Sequence, residues 1–315
     1  MMKILFHAAA GPDLARRLAA AGGETLDVRA CAEQDTDRLA ALLPDTEVLW
    51  HVLAPATAAM IAAAPKLRLI QKIGVGVNTI DLDAARARAI PVCNLPGTNS
   101  RAVAELALAL MLACLRRLPL FDAAMRAGEG FRLDPALLDG LGELGGRTVG
   151  LVGYGAIPRI LAPILAALGC PVLYTARTPR EDAIGQFRPL DQLLAEADIV
   201  SLHLPLTEQT TRLIDAARLA RMRPGSILIN TARGGLIDQP ALTAALRSGP
   251  LGAAGLDTFD PEPPTPTDPL CHLPNTVLTP HIAWITTGTF NRSLTLAAEN
   301  CRRLIAGEPL LHRVA

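Results

Sequence analysis

Three features of this sequence predict a parallel α/β architecture divided over two domains. Short β-rich runs alternate with Ala- and Leu-rich helical patterns along almost the whole chain, as strands joined by crossover helices require. The 315 residues exceed what one hydrophobic core usually organises. Half of them are apolar but only 3% are aromatic. The core is therefore built from Ala, Leu, Val and Ile, which suits helices packed on a sheet buried on both faces.

In chain order, strands are expected near Lys3–His7, Thr25–Arg29, Glu47–His51, Leu69–Ile73 and Val92–Asn94, with helical patterns between them such as Asp13–Ala21 and Thr57–Ala63. A long helix is predicted over Arg101–Arg117, a dense apolar run whose end is set by Pro119. A second series begins at Arg147–Val152 and continues near Val172–Tyr174, Ile199–Leu202, Ile227–Asn230, Ala253–Leu256 and Thr276–Leu278. A helix over Thr287–Ile305 follows, stopped by Gly307 and Pro309. The Pro-rich stretch Asp260–Pro266 reads as an ordered surface loop. The expected division is discontinuous: residues 1–97 with 285–315 in one domain, 98–284 in the other.

Thirty basic residues balance thirty acidic ones, so no net field attracts nucleic acid or an anionic membrane, and neither is expected as a partner. The apolar run after Met1 is short and broken by His7, Gly11 and Pro12, which suits a strand better than a signal peptide. No apolar stretch is long enough to span a bilayer. Six scattered cysteines without a C-x-x-C pair fit reduced, mostly buried thiols in a cytoplasmic protein, with neither disulfides nor a metal site.

Gly153-Tyr154-Gly155-Ala156-Ile157-Pro158 follows a predicted strand and opens a predicted helix, Ala156–Leu168. In a dinucleotide turn the first glycine permits the tight bend. The second lets the backbone approach the pyrophosphate, and the helix N-terminus presents free N–H groups to it. Pro158 stands where the third glycine is usual. In a first helical turn it forfeits only an N–H without an intrahelical partner. After the next strand, Ala176 occupies the place where an NAD site normally carries Asp or Glu, and Arg177 and Arg180 follow. Without a carboxylate, and with two guanidiniums, this segment favours the 2′-phosphate of NADP(H) over NAD(H), which stays possible.

Three further segments, each starting where a strand is predicted to end, carry reactive side chains: Asn230–Asp238 with Arg233, Gly255–Pro263 with Asp257 and Glu262, and Thr279–Trp284 with His281. Together with His203-Leu204-Pro205-Leu206-Thr207 and Lys72-Ile73-Gly74-Val75-Gly76-Val77-Asn78, in this order, they resemble the D-isomer-specific 2-hydroxyacid dehydrogenase family. The stretch Leu173–Arg180 is most similar to its glyoxylate/hydroxypyruvate reductase branch. The resemblance implies two Rossmann-like domains with the active site in the cleft between them, residues 1–97 and 285–315 binding substrate and 98–284 binding NAD(P), in a homodimer.

It also implies roles. Reduction of a 2-keto acid requires a cation at the carboxylate and carbonyl, which Arg233 supplies. A proton must reach the oxygen, and His281 is the candidate acid; Glu262 orients the ring and favours its charged form. The cofactor contacts implied are Gly153, Tyr154, Gly155, Ala156, Ile157, Arg177, Thr178, Arg180, His203, Pro205, Thr207, Thr231, Ala232, Arg233, Asp257, His281 and Ala283. Leu53, Val75, Gly76, Arg233, His281 and Trp284 are implied to touch substrate, the 74–76 loop through backbone N–H groups. His203 reads as structural or as the edge of the cofactor site, Asp257 as orienting the nicotinamide or Arg233, Trp284 as pocket wall or core. Val103-Ala104-Glu105 is open between a place beside the nicotinamide and helix packing.

The chain departs from the family pattern at Pro158, at Ala156 where many members carry arginine, and at Asn78 where aspartate is common. Two other readings share the fold: a cofactor-sensing corepressor, separable by its lack of turnover, and a phosphoglycerate dehydrogenase, against which the absence of an added regulatory domain weighs. Formate oxidation is disfavoured, since it involves no carbonyl proton and leaves Glu262 unused.

Overall fold

The computed structural model describes residues 1–315 as two compact units, Met1–Asn99 with Ile285–Ala315, and Ser100–Trp284. The first contains β1 (Met2–His7), α1 (Pro12–Gly22), β2 (Leu26–Cys31), α2 (Thr36–Leu42), β3 (Val48–His51), α3 (Ala58–Ala62), β4 (Leu69–Lys72), α4 (Leu82–Ala87) and β5 (Val92–Cys93), with a long C-terminal helix over Thr287–Ala306. Its strands pair in parallel in the order β2-β1-β3-β4-β5. Alternate residues Leu5, Leu49, Ile70 and Val92 enter one core with Met60, Ile61 and Ala85, as the two-residue period of a strand demands. Asp35, Thr57 and Asp81 start α2, α3 and α4 by accepting the amide of the residue three positions on. The C-terminal helix stops at Gly307, whose φ of 70° is the left-handed cap.

The second unit contains α5 (Ser100–Arg116), α6 (Leu118–Arg126), β6 (Val149–Val152), α7 (Ala156–Ala167), β7 (Val172–Thr175), β8 (Gln186–Phe187), α8 (Leu190–Glu196), β9 (Ile199–Leu202), α9 (Ala216–Leu219), β10 (Ser226–Asn230), α10 (Gln239–Ser248), β11 (Leu251–Leu256) and β12 (Thr276–Leu278). Its parallel strands run β12-β11-β10-β9-β6-β7-β8. Leu151, Ile199, Ile227 and Ile229 point to the face packed by α5 and α7. Val152, Val200, Leu202 and Leu228 point to the other face, against Leu193 and Leu242. Both faces are thus covered, and the near-continuous apolar strands follow from that. The strand order reverses between β6 and β9, which places the β6–α7 turn at the point where open α/β sheets bind ligands.

Two details differ from the sequence reading. The long helix ends at Arg116, with Arg117 left-handed, and Pro119 lies in the first turn of α6. That proline begins a helix as much as it ends one. Strand β8 is absent from the sequence reading, since two residues carry no readable periodicity. The six cysteines are free, five of them buried and Cys271 exposed. No helix is long and apolar enough to cross a membrane.

Candidate active site

Gly153 adopts φ of 98°, and a Cβ there would lie 2.7 Å from the carbonyl oxygen of His203, so the bend after β6 requires glycine. Gly155, at the start of α7, is exposed, and nothing lies within 4 Å of the place its Cβ would occupy. The amides of Ala156 and Ile157 have no helical carbonyl behind them, and the positive end of the helix adds to them. Pro158 is buried in the same turn, and the helix runs on through it to Ala167. A second proline, Pro163, sits further along on the exposed side.

Beside this turn, at the ends of β9 and β10, polar atoms are left over. Both ring nitrogens of His203 and the hydroxyl of Thr231 are buried without a partner. Burial pushes the His203 imidazole down to about 3, so the ring is neutral. Buried groups of this kind ordinarily find partners, and a nucleotide with its ribose and amide groups would supply them. The turn, the open space over Gly155 and these orphaned atoms fit a dinucleotide. Pro205 and Thr207 form an exposed turn closed by Thr210, whose Oγ1 donates to the Pro205 carbonyl at 2.7 Å and accepts from the Thr207 amide at 2.8 Å. Arg177, Thr178 and Arg180 are exposed on the loop after β7, and neither arginine enters an ion pair. The Tyr154 ring is buried, facing that same loop through its hydroxyl, which leaves only its backbone for a cofactor.

The reactive side chains stand at the ends of β10, β11 and β12, adjacent strands paired in register. The Asn230 side chain folds the first loop, accepting from the Ala232 amide at 3.0 Å and donating to the Arg233 carbonyl at 2.9 Å. At Gly234 a Cβ would fall 1.9 Å from the Phe259 carbonyl oxygen. Only glycine lets the Arg233 loop lie so close to the loop that carries Glu262. Asp257, fully buried, organises the third loop. Its carboxylate accepts from Thr279 Oγ1 at 2.6 Å and from the amides of Ile282 and Ala283 at 2.8 and 2.9 Å. Burial raises its pKa, with those hydrogen bonds acting in the opposite sense. His281 between them takes φ of 54°, a conformation a non-glycine residue holds only when its surroundings impose it. Its amide donates to the Asp257 carbonyl at 2.9 Å.

The result is a pair: His281 Nδ1 lies 2.9 Å from Glu262 Oε2, with side chains 18% and 35% exposed. Glu262 Oε1 accepts from the Phe259 amide at 2.9 Å. Burial alone would raise the Glu262 carboxyl, but His281, the Phe259 amide and the Arg233 charge together hold it below its ordinary value. An ionised carboxylate only accepts, so Nδ1 carries a proton toward it and Nε2 is left for a ligand. Burial works against the charge of Arg233 and Glu262 favours it; its Nη1 donates to the Ala232 carbonyl at 2.6 Å. Arg233, Glu262 and His281, predicted from motif order, are thus brought together.

Other expectations divide. The Ala283 amide is taken by Asp257 and its methyl is buried, so only its carbonyl remains for a cofactor. Asp257 holds the His281 loop, a positioning role that the sequence did not indicate. Trp284 is buried, as are Val103 and Ala104 in α5. In the first unit, Leu53 follows β3, and Val75 and Gly76 follow β4. The Gly74 and Val75 carbonyls accept from the Leu95 amide at 2.8 Å and Asn94 Nδ2 at 2.9 Å. The amides of this loop are left to point elsewhere. Below it, Lys72 Nζ donates to the Val52 carbonyl and lies 3.4 Å from His51 Nδ1. His7 and His51 end neighbouring strands opposite one another, buried. The sequence reading gives His7 no place in this row; its only signal is a polar residue closing each apolar run.

Known proteins resemble this chain over most of its length. Residues 108–283 match the model of the D-isomer specific 2-hydroxyacid dehydrogenase NAD binding domain. A D-3-phosphoglycerate dehydrogenase of Mycobacterium tuberculosis is 40% identical over 300 residues, covering 94% of this chain but 56% of that protein. The chain therefore spans little more than half the length of such relatives. A glyoxylate reductase of Korarchaeum cryptofilum is 39% identical over 280 residues, 87% of this chain and 81% of the relative. A crystal structure of a Thermus thermophilus protein superposes over the full length of both chains with a TM-score of 0.88 at 40% identity. With that coverage, the nucleotide turn and the Arg233–Glu262–His281 loops in place, the chain belongs to the D-isomer specific 2-hydroxyacid dehydrogenase family.

Proposed function

We propose that this chain is an NADP(H)-preferring reductase that converts a small 2-keto acid, glyoxylate or hydroxypyruvate, to the D-2-hydroxy acid. The observation that carries the reading is the 2.9 Å contact of His281 Nδ1 with Glu262, on loops that Gly234 draws beside Arg233. When bound, the cofactor supplies a hydride for the keto carbon. Arg233 binds the carboxylate and polarises the carbonyl. His281 donates its Nε2 proton to the carbonyl oxygen as the carbon is reduced, and Glu262 keeps the ring oriented through Nδ1. The chain's own cofactor contacts are the Gly153–Ile157 turn, His203, Thr231 and the loop with Arg177, Thr178 and Arg180. Exposed arginines without ion pairs, following Ala176, support a 2′-phosphate.

The glyoxylate reductase relative supports the small keto acid. The relatives named D-3-phosphoglycerate dehydrogenase, 40% identical, favour a second reading with a phosphorylated three-carbon substrate. Steady-state kcat/KM for glyoxylate, hydroxypyruvate, pyruvate and 3-phosphohydroxypyruvate with both cofactors separates them. The proposal expects hydroxypyruvate or glyoxylate to lead, NADPH to be preferred by about tenfold or more, and the product to be the D isomer. A lead for the phosphorylated substrate overturns the substrate assignment, and equal use of NADH overturns the cofactor assignment. A homodimer in the cytoplasm is part of the same reading. Phe131 is 95% exposed, and Leu118, Met125 and Leu138 around α6 are each more than half exposed, apolar surface of the kind that contacts cover.

A further inference from the structure

The chain has two tyrosines, Tyr154 and Tyr174, and both hydroxyls go to one loop. That loop, residues 176–185, joins β7 to β8, which pair in parallel. A parallel crossover ordinarily takes a dozen or more residues and usually a helix that packs it down. Here no helix intervenes, and polar ties replace it. Tyr174 Oη accepts from the Arg180 amide at 2.8 Å and donates to the Arg180 carbonyl at 3.2 Å. Tyr154 Oη does the same at Ile184, at 2.7 and 3.2 Å. The two rings lie 4.6 Å apart, with Phe187 5.7 Å from Tyr174.

A third tie is ionic. Arg159, in the opening turns of α7, pairs with Asp182 through both terminal nitrogens, the Nη2–Oδ1 distance being 3.2 Å. Its guanidinium sits 5.9 Å from the Tyr154 ring centroid. Gly185, at φ of 118°, lets the chain return so close to β7 that a Cβ there would lie 2.7 Å from the Val172 carbonyl oxygen. Among these ties lie the exposed Arg177, Thr178 and Arg180.

We propose that Tyr154, Tyr174 and the Arg159–Asp182 pair form a clasp that fixes the 176–185 loop and thereby sets discrimination between phosphorylated and unphosphorylated adenosine ribose. The inference rests on the reading of Arg177 and Arg180 given above. The clasp residues are positioning residues. Arg180 is held at both its N–H and its C=O, so its guanidinium swings from a fixed point. A loop without the ties would lose conformational freedom only on binding, at a cost in affinity. That cost falls on the ligand that needs the arginines, while a ligand without a 2′-phosphate escapes it. Each phenylalanine variant keeps the packed ring and returns one N–H and one C=O to solvent at an exposed edge, so the unit should still fold.

The test is calorimetric titration of the full chain with NADPH, NADH, 2′,5′-ADP and 5′-AMP, beside hydrogen exchange of residues 177–185. Tyr174→Phe should raise the Kd for NADPH and 2′,5′-ADP by about fivefold, with NADH and 5′-AMP within about twofold of wild type. The Arg180 amide should exchange faster, and in Tyr154→Phe the Ile184 amide. Asp182→Asn, which cuts only the surface tie, gives the same reading should a phenylalanine variant misfold. A wild-type NADPH preference that all the variants retain overturns the clasp alone. Equal wild-type affinities for NADPH and NADH overturn the reading of Arg177 and Arg180, and the clasp's role with it.

Discussion

Histidines end parallel strands or follow them in both units, and His281 lives in an environment opposite to that of His7 and His51. In the first unit His7 and His51 are 3% and 0% exposed, next to Lys72. Burial, and then the Lys72 charge, pushes His51 down to about 3; burial also lowers His7, with Glu33 acting the other way. In the second unit His281 lies on a loop, partly open, with a carboxylate 2.9 Å away. The contrast shows what makes an imidazole a proton carrier. A ring buried beside a cation is a neutral packing and hydrogen-bonding group, whereas one that keeps both a carboxylate and access can hold a proton and deliver it.

The largest effect that can break this comparison is His281→Ala. Turnover should fall by about two decades or more, the usual scale for a positioned acid, with Kd for NADPH nearly unchanged by titration. Activity within about threefold of wild type would remove His281 from the chemistry. Arg233→Lys should be severe as well, about tenfold or more in kcat/KM, because an ammonium cannot reproduce the planar fork.

Asp257→Asn sharpens the account one step back from the chemistry. It removes the anion that orders the Thr279–Ala283 loop, and buried hydrogen bonds to charged groups contribute about 1.5–3 kcal/mol each. We expect kcat to fall by about tenfold, with faster exchange of the Ile282 and Ala283 amides. Unchanged exchange would show that the loop holds itself.

The effect furthest from the chemistry concerns the silent histidines. His51 has a folded value near 3 against 6.5 unfolded, so the unfolded chain binds the extra proton as pH falls below 6.5. Stability should therefore drop on acidification through the window between those values, by about 2–3 kcal/mol at pH 4.5 for one such ring. His51→Asn should flatten the slope of the urea midpoint against pH. An identical slope would mean that the ring titrates in the folded state.

Much of this is legible in the sequence, for identifiable reasons. Strand Ile199–Leu202 can be located because a fully buried strand is a short apolar run bounded by turns. Arg233, Glu262 and His281 can be found because each follows such a run within an ordered set of motifs. What escapes is long-range. The roles of Asp257 and Gly234 depend on contacts 22 residues and more apart in sequence, which no local pattern encodes. The Tyr154 hydroxyl reaches Ile184, thirty residues away, and β8 is two residues long, too short to carry a period.

The measurement closest to the central claim is the pH dependence of kcat/KM for keto-acid reduction in wild type and Glu262→Gln. With the imidazolium as acid, wild-type reduction should decline as pH rises. Removing the carboxylate that accepts from Nδ1 should lower kcat and change that pH profile. On the acid side the depressed Glu262 carboxyl keeps the pair intact above the ordinary glutamate value, and it is lost only as pH falls through the lower folded value. A profile in Glu262→Gln that overlays wild type would contradict the pairing of Glu262 with His281 as the source of the proton.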